Sequence, residues 1–243
     1  MLNLRNVCLI MLNVEFSDKL NDSGINLQIA TLEIKDLSML KKQYDFSPQF
    51  NLIIKEIKEK YTLENIKGQK LISLYRKFYW EHLKLDPTKI RPAAEALIRR
   101  ILSNKAVPQI SPFVDAYNWA SIKSLVPMGA YDHDSFIEPL IIRLTEENEK
   151  FTPIAQEAKT LPSGILITSD AKKRILCQYP YRDSQETMIQ DHTKNIVLIA
   201  YGIKGFEQKD LLDSIDFAKK NLNWFAENEI LSIYYGNIQL WKN

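Results

Sequence analysis

The hydrophobic period of this chain changes twice, and that change limits the fold more than any motif does. Between Asn3 and Ile34 apolar and polar residues alternate, in VEFSDKL and INLQIATLEI, with a turn signal at Asn21-Asp22-Ser23-Gly24. A period of two predicts two or three short strands there. From Ser47 the period lengthens. Leu52, Ile53, Ile54, Ile57 and Tyr61 fall at helical spacing, with Lys and Glu filling the other face. The stretch from Leu71 to Leu83 repeats the pattern, with Leu74, Tyr75, Phe78 and Tyr79 turned inward. Asp86-Pro87-Thr88 marks a turn. Pro92 then opens a third helix, Ala93 to Leu102, whose Arg99-Arg100 pair complements the helix dipole at its C-terminal end.

The next stretch, Ile110 to Asp132, reads as an extended ISPFV and then a helix from Ala116 to about Leu125 with Asp115 as its N-cap. Pro127 stops that helix and Gly129 opens a second extended run. Alternation then returns. EPLIIRLT, EKFTPI and GILITSD are strand candidates, and KRILCQYPYRDS starts from a hairpin tip at Lys172-Lys173-Arg174. NIVLIAY, from Asn195 to Tyr201, is the most β-prone run and is predicted to be central and buried. A last helix, Gln208 to Glu227, puts Leu211, Leu212, Ile215, Phe217 and Ala218 on its apolar side, and ILSIYYGNIQLW is predicted to close as a hairpin around Gly236-Asn237. Strands, then helices, then strands point to α+β rather than regular βαβ units. With no internal repeat or linker, residues 1–243 are expected to form a single domain.

The composition, 45% hydrophobic and 26% charged over 243 residues, supports a conventional core. Lys plus Arg at 32 against Asp plus Glu at 30 leaves a charge of +2, so any nucleic-acid surface must be a local patch. Cys8 and Cys177 lack CxxC or CxxH spacing, and His82, His133 and His192 are scattered. No metal or cofactor is expected, and the compartment reads as reducing. The opening MLNLRNVCLIMLNV is interrupted by Arg5 and two asparagines and has no small-residue cleavage site, so it reads as a first strand and not a leader. No run approaches the roughly 20 apolar residues of a membrane span. The protein is therefore predicted to be soluble and cytoplasmic.

Chemistry-bearing residues concentrate in Tyr179-Pro180-Tyr181-Arg182-Asp183-Ser184. Arg182 can grip a carboxylate or phosphate in fork geometry, the tyrosines can stack, and Asp183, Ser184 or Thr187 can position a water. The alternative is a turn braced by an internal Arg–Asp pair. Asp132-His133-Asp134 looks like a metal or acid–base site, but in an extended chain the imidazole points away from both carboxylates, which favours a local turn. Lys123 and Ser124 are helical neighbours that do not face each other. The 7 glycines form neither GxGxxG nor a P-loop. The helix from Leu71 carries Arg76, Lys77, Tyr79, Trp80 and His82, either to stack on bases and grip phosphate or as core aromatics beside a solvated face.

Read together, two stretches carry a family resemblance. ISPFVDAYNWASIKSLVPMGAYD resembles NNVVDxTNYVMLELGxPLHAFD of the B3/B4 domain in bacterial phenylalanyl-tRNA synthetase β-subunits, and GILITSD followed by TKNIVLIA resembles a later part of the same module. RPAAEALIRRIL fits the entering helix, so the similarity runs from about Pro92 to Gly202. Free-standing B3/B4 proteins are more similar still, with patterns like VDAYN, PxGAYD, RDSxxT and TKN. The resemblance implies a three-layer α+β fold with an unusual β-sandwich and flanking helices. Residues 92–202 would be its core, with an added strand and helix region at 1–91 and a C-terminal helix and hairpin at 203–243. In the synthetase the domain hydrolyses tyrosine misesterified to the phenylalanine tRNA. Asp115, Asn118, Pro127 and Asp132 match that segment. The synthetase histidine of PLHAFD corresponds to Gly129, and the glutamate after TKNVLLE corresponds to Ile199.

The resemblance implies tRNA or aminoacyl-tRNA as partner and leaves three functions. One is trans-editing hydrolysis of a mischarged aminoacyl ester, with Asp183, Ser184 and Thr187 as catalytic candidates and Arg182, Tyr181, Asn118 and Gly129 binding the substrate. Ester hydrolysis chiefly needs a held water and a stabilised oxyanion, so no side-chain triad is required. The second is a non-catalytic module for RNA or an amino acid, favoured by the loss of polarity at Gly129 and Ile199. The third is a small-molecule hydrolase unrelated to tRNA. In all of them Asp115 is expected to cap its helix, and Gly129 and Arg182 to approach one cavity in which glycine leaves room.

Overall fold

A computed structural model describes residues 12–39 and 43–243. Residues 1–11, including Cys8 and most of the proposed first strand, lie outside the described residues. The chain runs β1 (Val14–Phe16), α1 (Asp18–Asn21), β2 (Leu27–Met39), α2 (Ser47–Lys60), α3 (Lys70–Glu81), α4 (Ala93–Leu102) and α5 (Pro112–Ser124). It continues through β3 (Met128–Asp132), β4 (Leu140–Leu144), β5 (Glu149–Phe151), β6 (Lys159–Leu161), β7 (Leu166–Ser169), β8 (Ile175–Gln178) and β9 (Arg182–Asp183), and ends with β10 (Ile196–Ile203), α6 (Gln208–Glu227) and β11 (Leu231–Lys242).

Two sheets form a sandwich. One has the order β11-β2-β10-β3 and is antiparallel throughout. The other has the order β1-β4-β7-β8-β9, with β1 parallel to β4 and the remaining pairs antiparallel. Every residue of β10 is buried, as its β-branched composition predicts for a strand covered on both faces. Its two faces differ. Odd-numbered positions look into the sandwich: the Tyr201 hydroxyl lies 3.5 Å from Cys177 Sγ on β8. Even-numbered positions look at helices: a Cβ on Gly202 would lie 3.0 Å from a Leu211 methyl on α6. Helices, the four-stranded sheet and the five-stranded sheet thus make three layers of an α+β fold. A second apolar cluster, with Ile57, Ile98, Trp119 and Ile122, seats α2 and α4 against the outer side of α5.

Local signals explain most element ends, and three expectations need correction. VEFSDKL is not one strand, because the Ser17 hydroxyl accepts from the Leu20 N–H at 3.3 Å and caps the helical turn α1. After it β2 runs 13 residues, to Met39, paired along its length by β10 and β11. Asp115 is not an N-cap. The cap is Ser111, whose hydroxyl accepts from the Val114 N–H at 3.3 Å, and Pro112 occupies the first turn, where no amide donor is needed. Finally, ILSIYYGNIQLW is not a hairpin but the single strand β11, with its register slipping against β2 between Tyr235 and Ile238. Gly236 serves close approach: a Cβ there would sit 2.9 Å from Glu33 Cβ.

Candidate functional site

β3 and β9 are the edges of their sheets, and both edges face the same end of the sandwich. On β3, Gly129 and Tyr131 share one face by strand alternation. Across the ladder Ile199 is the direct partner of Gly129, and Val197 that of Tyr131. The two positions where the synthetase segment has histidine and glutamate are therefore adjacent, on the inner wall of the sandwich. Here neither is polar, and Ile199 is fully buried. The room expected beside Gly129 is filled: a Cβ would lie 2.9 Å from the Tyr131 hydroxyl and 3.2 Å from the Tyr201 hydroxyl.

Those hydroxyls belong to a polar chain between the sheets. Tyr131 donates to Asp183 Oδ1 at 2.7 Å and contacts the Tyr201 hydroxyl, which in turn meets the Cys177 thiol. Tyr179 lies alongside, its ring edge-on to Tyr201 at 4.8 Å and its hydroxyl donating to the Gly202 carbonyl at 2.7 Å. Burial drives the Tyr131, Tyr201 and Cys177 groups well toward their protonated forms, and the neighbouring Asp183 charge adds to the effect. Asp183 is the acidic end of the chain. Removal of its carboxyl from water pushes the pKa up to about 6, against the opposing pull of the Tyr131 hydrogen bond and the Arg182 charge. Tyr117 of α5 closes the other side: burial raises its pKa, with the Asp183 and Asp115 carboxylates as further causes.

Alternation on β9 sends Arg182 the other way. Its guanidinium is exposed and stands over the Tyr181 ring, with Cζ 5.0 Å from the centroid. Among the described residues it forms no ion pair, so the turn is not braced by an Arg–Asp bridge. Tyr181 is half-buried and edge-on to Tyr79 at 6.3 Å. Ser184 is buried, and its hydroxyl accepts from the Glu186 N–H at 3.1 Å within the turn. Thr187 is also buried. Its carbonyl accepts from the Asp132 N–H at 3.0 Å, and its hydroxyl has no partner among the described residues. Asn118 is half-buried on α5, one residue from Tyr117. The structure thus brings Gly129, Tyr131, Tyr117 and Asp183 together, while Arg182 and Tyr181 lie outside this inner cluster and Ser184 is spent on its own turn.

The other singled-out residues are structural. Asp115 accepts from the Tyr44 hydroxyl at 2.6 Å and the Ile110 N–H at 2.9 Å, tying residues before α2 to the entry of α5. Asp132 accepts from the Asp134 N–H at 3.0 Å and the Thr193 hydroxyl at 2.7 Å, and His133 Nε2 lies 2.8 Å from Glu138 Oε1. That is a local turn, as its spacing predicts. The sequence reading missed Tyr117, Tyr131, Tyr201 and Cys177, because a tyrosine or thiol on the buried side of a strand or helix has the pattern of core. One signal was available: Tyr131 and Tyr201 lie two positions from Gly129 and Ile199, on the same strand faces.

A family model described as the B3/4 domain matches residues 74–211, more than half of the chain. The phenylalanine–tRNA ligase beta subunit of Streptococcus pyogenes serotype M18 is 23% identical over 247 aligned positions, covering 92% of this chain and 29% of that protein. That of Streptococcus pyogenes serotype M1 is 24% identical over 179, covering 64% and 22%. The chain spans less than a third of the length of these relatives. A crystal structure of an N-terminal fragment of the phenylalanyl-tRNA synthetase beta-subunit from Pyrococcus horikoshii superposes with a TM-score of 0.41 at 14% identity, over 87% of this chain and 48% of that one.

Proposed function

This chain belongs to the B3/4 domain family, and from that premise we propose that it acts on aminoacyl-tRNA and hydrolyses a mischarged aminoacyl ester at the end of the sandwich between β3 and β9. The observation that carries this reading is Asp183, an edge-strand carboxyl held by the Tyr131 hydroxyl at 2.7 Å, with its pKa pushed up to about 6. A carboxylate so tuned is mostly ionised at neutral pH yet basic enough to take a proton from water. In the proposed reaction Asp183 removes a proton from a water as its oxygen attacks the ester carbonyl carbon. The carbonyl π electrons move to oxygen as the tetrahedral intermediate forms, while the exposed Arg182 guanidinium, on the other face of β9, holds a phosphate of the tRNA rather than that oxyanion. Collapse expels the ribose oxygen, which takes the proton back from Asp183. The products are a free amino acid and an uncharged tRNA.

A second reading is favoured by a separate observation. The apolar Gly129–Ile199 pair and the phenols packed on it remove the polarity that the synthetase segment has at these positions, which suits binding without hydrolysis. One experiment tests both. A panel of mischarged aminoacyl-tRNAs is incubated with the wild type, Asp183→Asn and Arg182→Lys, and deacylation and tRNA binding are followed on the same preparations. Turnover of at least one substrate that collapses in Asp183→Asn while binding persists supports hydrolysis. Salt-sensitive tRNA binding with no turnover across the panel overturns it in favour of the binding module.

A further inference from the structure

The surface around the C-terminal half of α3 takes no part in the chemistry proposed above. Three hollows adjoin there. The first, about 220 Å³, lies between the segment after α3 and the adjoining ends of β7 and β8, with apolar walls from Leu85 and Leu166 and rims from His82, Tyr181 and Lys159. The second, about 260 Å³, shares His82 and extends to Lys77, Glu81 and Lys204, and the third shares Glu81 and is bounded by Trp80 and Lys84. Helical spacing puts Lys77, Trp80 and Glu81 on one exposed face of α3, and Lys84 follows in the turn just past the helix end.

Two features of this surface go together. Trp80 is 62% exposed, a large apolar ring presented to solvent. It is surrounded by cations: Lys77, Lys84, Lys159 and Lys204 line the hollows, and Arg182 borders them through its stacking on Tyr181. Glu81 is the one carboxylate lining the three among the described residues, and its contact with Lys77 is a long 3.8 Å pair between exposed side chains. Lys84 donates to the carbonyl of Glu81 at 2.7 Å, and neither it nor Lys204 has a carboxylate partner among the described residues. The net charge of the whole chain is only +2, so this concentration of four lysines against one carboxylate is local.

We propose that this groove binds single-stranded RNA, with one unpaired base in the cavity beside Tyr181 and His82, a second stacked on Trp80, and the intervening phosphates held by Lys204, Lys77 and Lys84. Charge complementarity selects a polyanion, and the alternation of ring and cation selects one whose bases are unpaired and free to stack. A duplex, with its bases paired and stacked internally, would use the lysines and leave Trp80 idle. The inference rests on the RNA-directed reading of the family but not on hydrolysis: the groove serves a catalytic or a purely binding module equally.

The test is fluorescence-anisotropy titration of the full chain with a labelled single-stranded RNA ending in CCA, and with a duplex of the same length, across a salt series. The variants are Trp80→Ala, Lys77→Gln/Lys204→Gln and, as a distant control, Lys172→Gln; all alter exposed side chains, and melting curves check the fold. The single strand is expected to bind more tightly than the duplex. Trp80→Ala should weaken it by about 5- to 150-fold, the range of one lost base stack. The double lysine variant should lower the slope of log affinity against log salt by about 1.4. Lys172→Gln should change neither. No binding of the single strand at low salt, equal binding of strand and duplex, or unchanged affinity in folded Trp80→Ala each overturns the groove. Because no ester is cleaved, none of these outcomes bears on Asp183, so failure here is distinct from failure of the hydrolytic reading.

Discussion

Two carboxylates of this protein are each held by neighbouring side chains, one buried and one half-buried, and their surroundings differ in kind. Glu95 on α4 is fully buried and saturated: Arg76 donates to both its oxygens, at 3.0 and 3.1 Å, and Arg99 adds a third bond at 2.8 Å from one turn along the helix. Among the described residues Asp183 has one close side-chain donor, the Tyr131 hydroxyl, and no guanidinium within bonding distance. Glu95 has its charge cancelled on the spot and fastens α3 to α4. Asp183 keeps a charge that its surroundings resist, the condition for moving a proton near neutral pH. Both acids have an arginine within four positions in the sequence, so proximity in the chain does not distinguish them. The number of donors does.

The strongest way to break this comparison is to remove the charge at the undersaturated site. Asp183→Asn is expected to lower deacylation by about 10²- to 10⁴-fold, the usual value of a positioned base, while tRNA affinity stays within about threefold. The same variant has a stability signature. Because the folded pKa, about 6, lies above the ordinary value of 3.8, the protonated form is favoured by folding. That contribution is complete below about pH 4 and is lost as pH rises through 6. The unfolding free energy of the wild type from urea titrations should therefore fall from pH 4 to pH 7 by about 1–3 kcal/mol relative to Asp183→Asn, the lower end allowing for partial exposure. Parallel pH profiles in the two proteins would show that the carboxyl is ordinarily solvated.

Glu95→Gln attacks the saturated partner. Two guanidiniums, each about one-fifth exposed, lose their counter-charge. A cost of about 2–4 kcal/mol in chemical denaturation follows, with deacylation per folded molecule unchanged. A drop in activity greater than the drop in folded fraction would remove the distinction between the two sites. Next in size is Gly129→Ala. Its Cβ would press on both phenols, so a loss of about 1–3 kcal/mol from overpacking is expected, together with a weaker Tyr131 bond to Asp183. An alanine variant as stable as the wild type would mean that the phenols give way freely and that the inner wall is not closed.

The same contrast between local and distant causes explains what could be read in the sequence. α2, α4 and α6 begin and end where periodicity and proline put them, because a helix is decided by its own residues and caps. Even the error at α5 was local: Ser111-Pro112 is a cap followed by a first-turn proline, and that signal was readable. β11 was different. Gly236-Asn237 has the composition of a turn, and only its partner, β2, running 13 residues alongside, holds it extended. The polar chain was hidden for the same reason. Tyr131, Tyr201 and Cys177 lie at buried strand positions, and nothing within 20 residues of any of them indicates that their hydroxyls and thiol meet across two sheets. Asp183 was visible as a polar residue in an aromatic turn, but its partner, 52 positions earlier, was not.

The smallest effect separates Asp183 from the acid most like it. Asp115 also accepts from a tyrosine, and burial raises its pKa as well. It differs in having a second, backbone donor: the Ile110 N–H at 2.9 Å joins the Tyr44 hydroxyl at 2.6 Å, and each oxygen has its own partner. An asparagine can meet both needs. Its carbonyl oxygen faces the Ile110 N–H, which cannot reverse, while its amide donates to the Tyr44 hydroxyl, which can turn and accept. Asp115→Asn should therefore change stability by less than about 1 kcal/mol and leave deacylation intact, whereas Asp115→Ala, which strands both donors, should cost about 1–3 kcal/mol. The sign with pH follows as before: a raised folded pKa favours the protonated form, so any gain of Asp115→Asn over the wild type should grow as pH rises from the ordinary carboxylate value through the folded pKa and level off above it. If Asp115→Asn folds normally and still abolishes turnover, the boundary between structural and reactive carboxylates in this protein runs through α5 rather than between α4 and β9.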